Sequence, residues 1–146
     1  MDPALIAREL GPDQTHLAFA AMVELRPHVA SVDEFVARVN ERQRPEGYRL
    51  AAAFVDGDDD AVSVAGFRTV NALHRGFFLY VDDFVTREAH RGSGFGRQVF
   101  DWVLGEARRL GCAAVSLDSG VQRFGAHRFY LRAGMDITAH HFDLRV

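Results

Sequence analysis

Residues 85–97 read V-T-R-E-A-H-R-G-S-G-F-G-R, and this segment carries the most specific chemistry in the chain. An apolar run leads through Arg91, Gly92, Ser93, Gly94, Phe95 and Gly96 into a helical pattern that begins about Arg97. Alternate glycines let the backbone approach a ligand closely, and the free N–H groups of a helix start point outward toward negative charge. The design is that of a pyrophosphate cradle, although the same glycines also suit a tight strand-to-helix turn with no ligand. The dinucleotide fingerprint G-x-G-x-x-G is excluded, because Arg97 stands where its last glycine belongs. A G-x-x-x-x-G-K-[ST] loop is excluded as well, since all 17 basic residues are arginine and the chain holds no lysine. The same absence removes lysine Schiff-base chemistry of the aldolase or pyridoxal kind.

Other reactive side chains are less organised. His16, His28, His74, His90 and His127 show no metal-ligand spacing, and the adjacent His140 and His141 would point to opposite faces of a strand, so no metal is expected. Cys112 is the only cysteine and has no candidate base beside it, which argues against a nucleophilic thiol and rules out an internal disulfide. Asp118, Ser119 and Gly120 resemble a strand end and turn, and the G-x-S-x-G motif of a serine hydrolase elbow is absent.

The elements that must position the glycine segment follow from periodicity. All four prolines fall at or before Pro45, and eight of the 13 glycines lie between Gly92 and Gly134, so the two halves are built differently. Pro12 starts a helix whose stripe is Leu17, Ala20, Ala21, Glu24 and Leu25, closed at Arg26 and Pro27. Ser31 and Glu34 form a capping box for a second helix with Phe35, Val36 and Val39 on its apolar side. Residues 48–55, 61–70 and 77–86 read as strands with short connections, an antiparallel meander. Phe95, Val99, Trp102, Val103, Ala107 and Leu110 recur at helical spacing before a Gly111 cap. A short strand near 113–117, a helix near 126–133 ending at Gly134 and a final strand at 135–144 complete the order. The fold class is α+β, with a mostly antiparallel sheet flanked by helices and one parallel crossover.

Composition sets the frame. A chain of 146 residues predicts one domain over 1–146, and 48% hydrophobic with 25% charged residues is ordinary for a globular protein. A formal charge of -3 gives no reason to expect nucleic acid or an anionic membrane as partner. No apolar run approaches the roughly 20 residues that span a bilayer, and the start lacks a basic leader region, so the expected location is cytoplasmic.

On these motifs the chain resembles the GNAT superfamily of N-acetyltransferases, whose hallmark is Arg/Gln-x-x-Gly-x-Gly/Ala between the fourth strand and the third helix. Arg91 to Gly96 matches every defined position. The stretch 126–135, A-H-R-F-Y-L-R-A-G-M, is similar to the family's A-x-x-F-Y-x-x-x-G-F segment. The resemblance implies acetyl transfer from acetyl-coenzyme A to a primary amine. It implies that the amides of Arg91, Gly92, Ser93, Gly94, Phe95, Gly96 and Arg97 hold the pyrophosphate, that Phe84, Val85 and Thr86 pair with the pantetheine arm, and that Arg123 is a further phosphate partner. A splayed strand agrees with this physically, because it offers unpaired amides to a ligand that carries two. An amide near Val85 could also steady a developing oxyanion.

Tyr130 matches the tyrosine placed to protonate the departing sulfur, with a packing aromatic as the alternative role. An alkylamine is only about 0.1% neutral at pH 7, so its proton needs an acceptor. Asp82 and Asp83 are the candidates, and strand alternation puts them on opposite faces unless a bulge intervenes. By the same resemblance the acceptor pocket lies at the loop joining the first two helices, with Glu24, Arg26, His28 and Arg68 as candidate readers. Arginine forks suit a carboxylate or phosphonate, so an anionic amine fits, and ordinary surface charge is the other reading of these four. Family members commonly finish with two strands after the tyrosine helix, whereas one is read here, which predicts a homodimer covering an open edge. The competing functions are an acyl-coenzyme A sensor without turnover, and an acyltransferase with a longer acyl chain or acting on a protein or peptide amine.

Overall fold

A computed structural model describes residues 7–146, which form two compact units, the first ending at Ser116 and the second being Leu117–Val146. The first is built on a five-stranded sheet in the order β1 (Ala7–Leu10), β2 (Arg49–Ala53), β3 (Ser63–Ala72), β4 (Gly76–Thr86), β5 (Val115–Leu117). The pairs β1–β2, β2–β3 and β3–β4 are antiparallel, and β5 joins β4 as the one parallel pair after a crossover through α3 (Phe95–Arg109). Phe77 O accepts from Ala113 N at 2.8 Å and Ala114 O from Leu79 N at 3.0 Å where that pairing begins.

Successive strand residues alternate faces, yet Leu50, Ala51, Ala52 and Ala53 are all fully buried, so both faces of β2 are covered. On one face Leu50, Ala52, Val64 and Val85 join a core with Ala21 and Met22 of α1 (Phe19–Leu25), and with Phe35 of α2 (Val32–Arg38). On the other, Phe67 stacks at 6.0 Å on Trp102 of α3. Small alanines in β2 let the helices pack closely over the sheet.

The helical start agrees with its sequence signals in part. Pro12 opens a 3-10 segment, Pro12–Ala18, rather than an α-helix, and α1 follows it directly. Ser31 Oγ caps α2 by accepting from Glu34 N at 3.1 Å, while the Glu34 carboxylate turns to Arg38 at 3.7 Å instead of reaching back to complete the box. Past α2 the chain widens into one π-helical stretch, Val39–Gln43, which carries Asn40 and the following Arg44 onto Thr15; Arg44 also grips the Leu10 and Gly11 carbonyls.

The meander is as expected, but the connection at 71–76 is shorter, because β3 runs to Ala72 and β4 begins at Gly76. Strand β1 has no counterpart in the sequence reading. The second unit contains α4 (Phe124–Arg132), ended by Gly134 at φ 93°. The strand expected at 135–144 is not formed among the described residues, and this is a correction: the alternation is there, but residues 136–146 make no backbone hydrogen bond to another described residue, and without a ladder an alternating pattern is not a strand. Among the described residues no helix is long and apolar enough to cross a membrane.

Candidate active site

The segment between β4 and α3 assigns its three glycines different tasks. Gly92 and Gly94 adopt φ 81° and 89°, the left-handed region that side chains avoid, and a Cβ on either would meet nothing within 4 Å. The loop is therefore bent and open. Gly96 has an ordinary backbone, but a Cβ there would lie 3.0 Å from Thr86 Oγ1, so this glycine lets α3 sit close to the end of β4. Gly94 caps α3 without a side-chain partner, no acidic residue occupies the first turn, and among the described residues the amides of 92–97 donate to no backbone group. These free donors at a 15-residue helix start make an anion cradle. Gln98 Oε1, in the same turn, is buried without a hydrogen-bond partner. Open glycines, free amides and an unpaired acceptor fit a pyrophosphate with an amide-bearing arm.

Arg91 is partly committed: its Nε donates to Thr86 O at 2.9 Å, tying the loop back to β4, while its outer nitrogens stay exposed 3.9 Å from Glu24. Arg97 pairs with Asp101 on the helix surface. Of the strand residues expected beside them, Val85 is buried in the core with its carbonyl accepting from Ser63 Oγ, Thr86 Oγ1 lies 2.9 Å from Ser63 Oγ, and Phe84 stacks on Phe100.

A cleft of about 120 Å3 opens beside α1 and α2, walled by apolar side chains such as Met22, Val29 and Phe35, with polar atoms from Arg26, His28 and Asp83. Two expected readers, Arg26 and His28, thus line one cavity. Glu24 and Arg68 do not. Glu24 Oε1 accepts from Glu88 N at 2.8 Å and holds the turn before the glycine loop, whereas Arg68 Nε donates to Asp82 Oδ2 at 2.9 Å.

The two aspartates are brought together by a bulge. Gly66 pairs with Asp83 and Phe67 with Val81, so Asp82 is an extra residue in β4 and simple alternation fails there. Asp83 receives Arg26 Nε at 2.9 Å and the Tyr48 hydroxyl at 2.7 Å, and Arg26 Nη2 also reaches Asp82 O at 3.2 Å. Asp83 lines the cleft and Asp82 does not. Burial pushes the Asp82 carboxyl above its usual range against the opposing pull of Arg68.

Tyr48 is the site residue that sequence reasoning missed. It is 3% exposed, and burial first, then Asp83, holds its hydroxyl well above the ordinary tyrosine range, so it remains a donor to Asp83. It occupies space that only a glycine leaves free: a Cβ on Gly66 would fall 1.6 Å from its Oη. An isolated glycine inside a strand pattern is the signal that could have found it.

In the second unit Tyr130 is buried and its hydroxyl is pushed up by burial, with hydrogen-bonded Arg123 opposing. Such a tyrosine stays protonated at neutral pH and can give a proton. The histidines have separate tasks: His127 meets Gly120 O at 2.8 Å, His141 lies between Asp118 and Asp143, and His90 stacks on Phe95. Burial raises the Cys112 thiol, which keeps it from acting as a thiolate.

The sequence profile of the acetyltransferase (GNAT) family matches residues 16–135. An uncharacterized N-acetyltransferase of Bacillus subtilis is 31% identical over 127 residues, 86% of this chain and 87% of the relative. The aminoalkylphosphonate N-acetyltransferase of Salmonella typhimurium is 34% identical over 70 residues, 43% of this chain and 46% of that protein. Among solved structures, an aminoglycoside N-acetyltransferase in complex with coenzyme A superposes with a TM-score of 0.82 at 16% identity, covering 97% of this chain and 93% of the other.

Proposed function

This chain belongs to the acetyltransferase (GNAT) family and is an acetyl-transferring enzyme, and we propose that its acceptor is the primary amine of a small molecule, engaged together with acetyl-coenzyme A. The observation that carries the small-molecule reading is the cleft of about 120 Å3, whose apolar walls of Met22, Val29 and Phe35 converge with a few polar side chains as a pocket for a short amine does. Arg26, His28 and Arg38 stand around it against the single carboxylate of Asp83. That balance favours an amine that also carries an anionic group, and the partial relative acting on aminoalkylphosphonates supports the same class. The family match spans both compact units, which supports one acetyltransferase domain over 1–146.

Acetyl-coenzyme A supplies the acetyl group as an activated thioester. The amides of residues 92–97 bind its pyrophosphate, the exposed nitrogens of Arg91 and Arg97 and the guanidinium of Arg123 add charge, and Phe84, Val85 and Thr86 align the pantetheine arm. Asp83, at the cleft, takes the proton of the amine directly or through water, with Asp82 as the alternative base. Tyr130 returns a proton to the departing sulfur. The protein acts in the cytoplasm as a homodimer, a reading supported by the edge position of β5 and the apolar surface of the second unit.

The test is thiol release from acetyl-coenzyme A across a panel of aminoalkylphosphonates, amino acids, polyamines and a basic peptide. Release with a small anionic amine is the expected result. Binding of acetyl-coenzyme A without release on any of them favours a sensor, and release on the peptide alone overturns the small-molecule assignment.

A further inference from the structure

Arg26, His28 and Arg38 are the basic side chains lining the acceptor cleft, and they differ in what already holds them. Arg26 is committed. Its Nε donates to Asp83 Oδ1 at 2.9 Å and its Nη2 to Asp82 O at 3.2 Å, so its fork and its charge are taken up by the two aspartate residues. Arg68, the other arginine expected at this end of the sheet, is taken up by Asp82 and lies outside the cleft. His28 offers a ring nitrogen and no fork. Arg38 is the exception. Among the described residues its guanidinium makes no hydrogen bond, and its one ion pair, with Glu34, is loose at 3.7 Å, both side chains being about half exposed. An exposed pair one helical turn apart is weak and screened, so a ligand can take that guanidinium from its partner.

The position of Arg38 is built into α2. The helix is capped at Ser31, and Phe35 and Val39, which flank Arg38 in sequence, are buried and also line the cleft. The π-helical stretch that follows is pinned through Asn40 and Arg44 onto Thr15. Arg38 thus stands on one wall of the cleft while Asp83, beside the β4 bulge, stands on another.

We propose that Arg38 is the specificity-determining residue of the acceptor site, receiving the acidic group of the substrate in its fork while the amine faces Asp83. This deepens the anionic-amine reading above and rests on it. A carboxylate for the amino end and an uncommitted guanidinium for the acid end make the site bipolar. Such a site selects a phosphonate or a carboxylate over an uncharged tail on the same skeleton. Glu34 is the competitor for Arg38 within the chain, and a bound acid displaces it.

Aminoethylphosphonate, β-alanine and propylamine share one ethylamine skeleton and differ in the group that ends it, so they test this directly. Calorimetric titration in the presence of coenzyme A reads their binding without turnover, and circular dichroism checks that each variant is folded. The parent chain should bind at least one of the acids about tenfold or more tightly than propylamine. Arg38→Ala should lower that acid-over-propylamine preference by about tenfold or more. Arg38→Lys should recover part of it, because the charge survives without the fork. Glu34→Gln should raise it, because the competing carboxylate is gone while the backbone N–H of that residue still meets the Ser31 cap. Preference for either acid supports the assignment, and the tighter of the two names the group that the fork receives. A parent chain that binds propylamine as well as the acids, or binds none of the three, overturns the anionic-amine reading and the role of Arg38 with it. A preference that survives Arg38→Ala in a folded variant keeps the acceptor class and overturns the assignment to Arg38. A preference that Arg38→Lys and Glu34→Gln both leave unmoved overturns it too, whether or not Arg38→Ala folds. Thiol release from the panel above reads the acetyl-transfer assignment independently of these titrations.

Discussion

Gly66→Ala is the smallest change that should dismantle the acceptor end of the site. The added methyl would sit 1.6 Å from Tyr48 Oη, 2.3 Å from Cζ and 2.7 Å from Cε1. Ordinary contact needs about 3.5 Å or more, so the ring has to retreat by roughly 2 Å. Tyr48 is 3% exposed, and the space open to its ring is the cleft it lines, so the ring can retreat only by filling the acceptor cavity. Overpacking of this kind costs about 1–3 kcal/mol, and the lost 2.7 Å hydrogen bond to the Asp83 carboxylate adds about 1.5–3 kcal/mol. The total expected is a loss of about 3–5 kcal/mol.

Equilibrium unfolding in urea measures this, and the comparison that isolates the cause is the same substitution in a Tyr48→Ala background. There the obstruction is gone, and replacing a strand glycine by alanine should be neutral or stabilising by about 0.5–1 kcal/mol. Tyr48→Phe should not rescue Gly66→Ala, because Cζ and Cε1 still collide. Equal costs in the two backgrounds, or a loss below about 0.5 kcal/mol in the parent, would refute the reasoning.

Four further outcomes follow from the geometry. Gly92→Ala and Gly94→Ala should each lower acetyl-coenzyme A affinity and cost about 1–2 kcal/mol of stability through their left-handed backbone, whereas Gly96→Ala should act by displacing Thr86; calorimetric titration with thermal melts separates the effects. Tyr130→Phe should depress turnover more than acetyl-coenzyme A affinity, and unchanged turnover would remove its role as acid. Asp83→Asn should abolish the acid limb of the pH–rate profile if Asp83 is the base; if Asp82 is the base, that limb should lie above the ordinary range because burial raises its carboxyl. Glu106, held by Arg109 at 2.6 Å and by Arg49, is depressed from 4.5 to about 2. Its contribution to stability is present above pH 4.5 and lost as pH falls toward 2, so Glu106→Gln should flatten the acid denaturation profile in that window.

The features that were legible in the sequence are those governed by local rules. Glycines that need positive φ, a serine that caps α2 and an apolar period that changes from helical to strand-like can each be read within a few residues. The family resemblance at Arg91 to Gly96 and at Tyr130 rests on such local strings. What escaped depends on partners distant in sequence. The bulge at Asp82 exists only in register with Gly66 and Phe67, the position of Tyr48 exists only because Gly66 lies across from it, and Glu24 is drawn from the acceptor site by an amide 64 residues away. The alternation at 135–144 was read correctly as a pattern and wrongly as a strand, because a strand needs a neighbour and the described chain offers those residues none.

The lysine-free composition has a consequence at this site. Arg26 spans two acceptors, with Nε on the Asp83 carboxylate and Nη2 on the Asp82 carbonyl, and so fixes the bulged residue and the cleft-lining one as a unit. Arg49 forks onto both oxygens of Glu9 while also meeting Glu106, which Arg109 grips with two further nitrogens. An ammonium can replace the charge in each case but not the planar spacing of donors. Arg26→Lys should therefore preserve net charge and still loosen the aspartate pair, raising KM for the amine while leaving acetyl-coenzyme A affinity unchanged. Arg68→Lys, outside the cleft, should shift the Asp82-dependent limb of the pH profile and leave amine KM alone. Equal effects of the two substitutions on amine KM would show that charge alone, and not the fork, organises this end of the sheet.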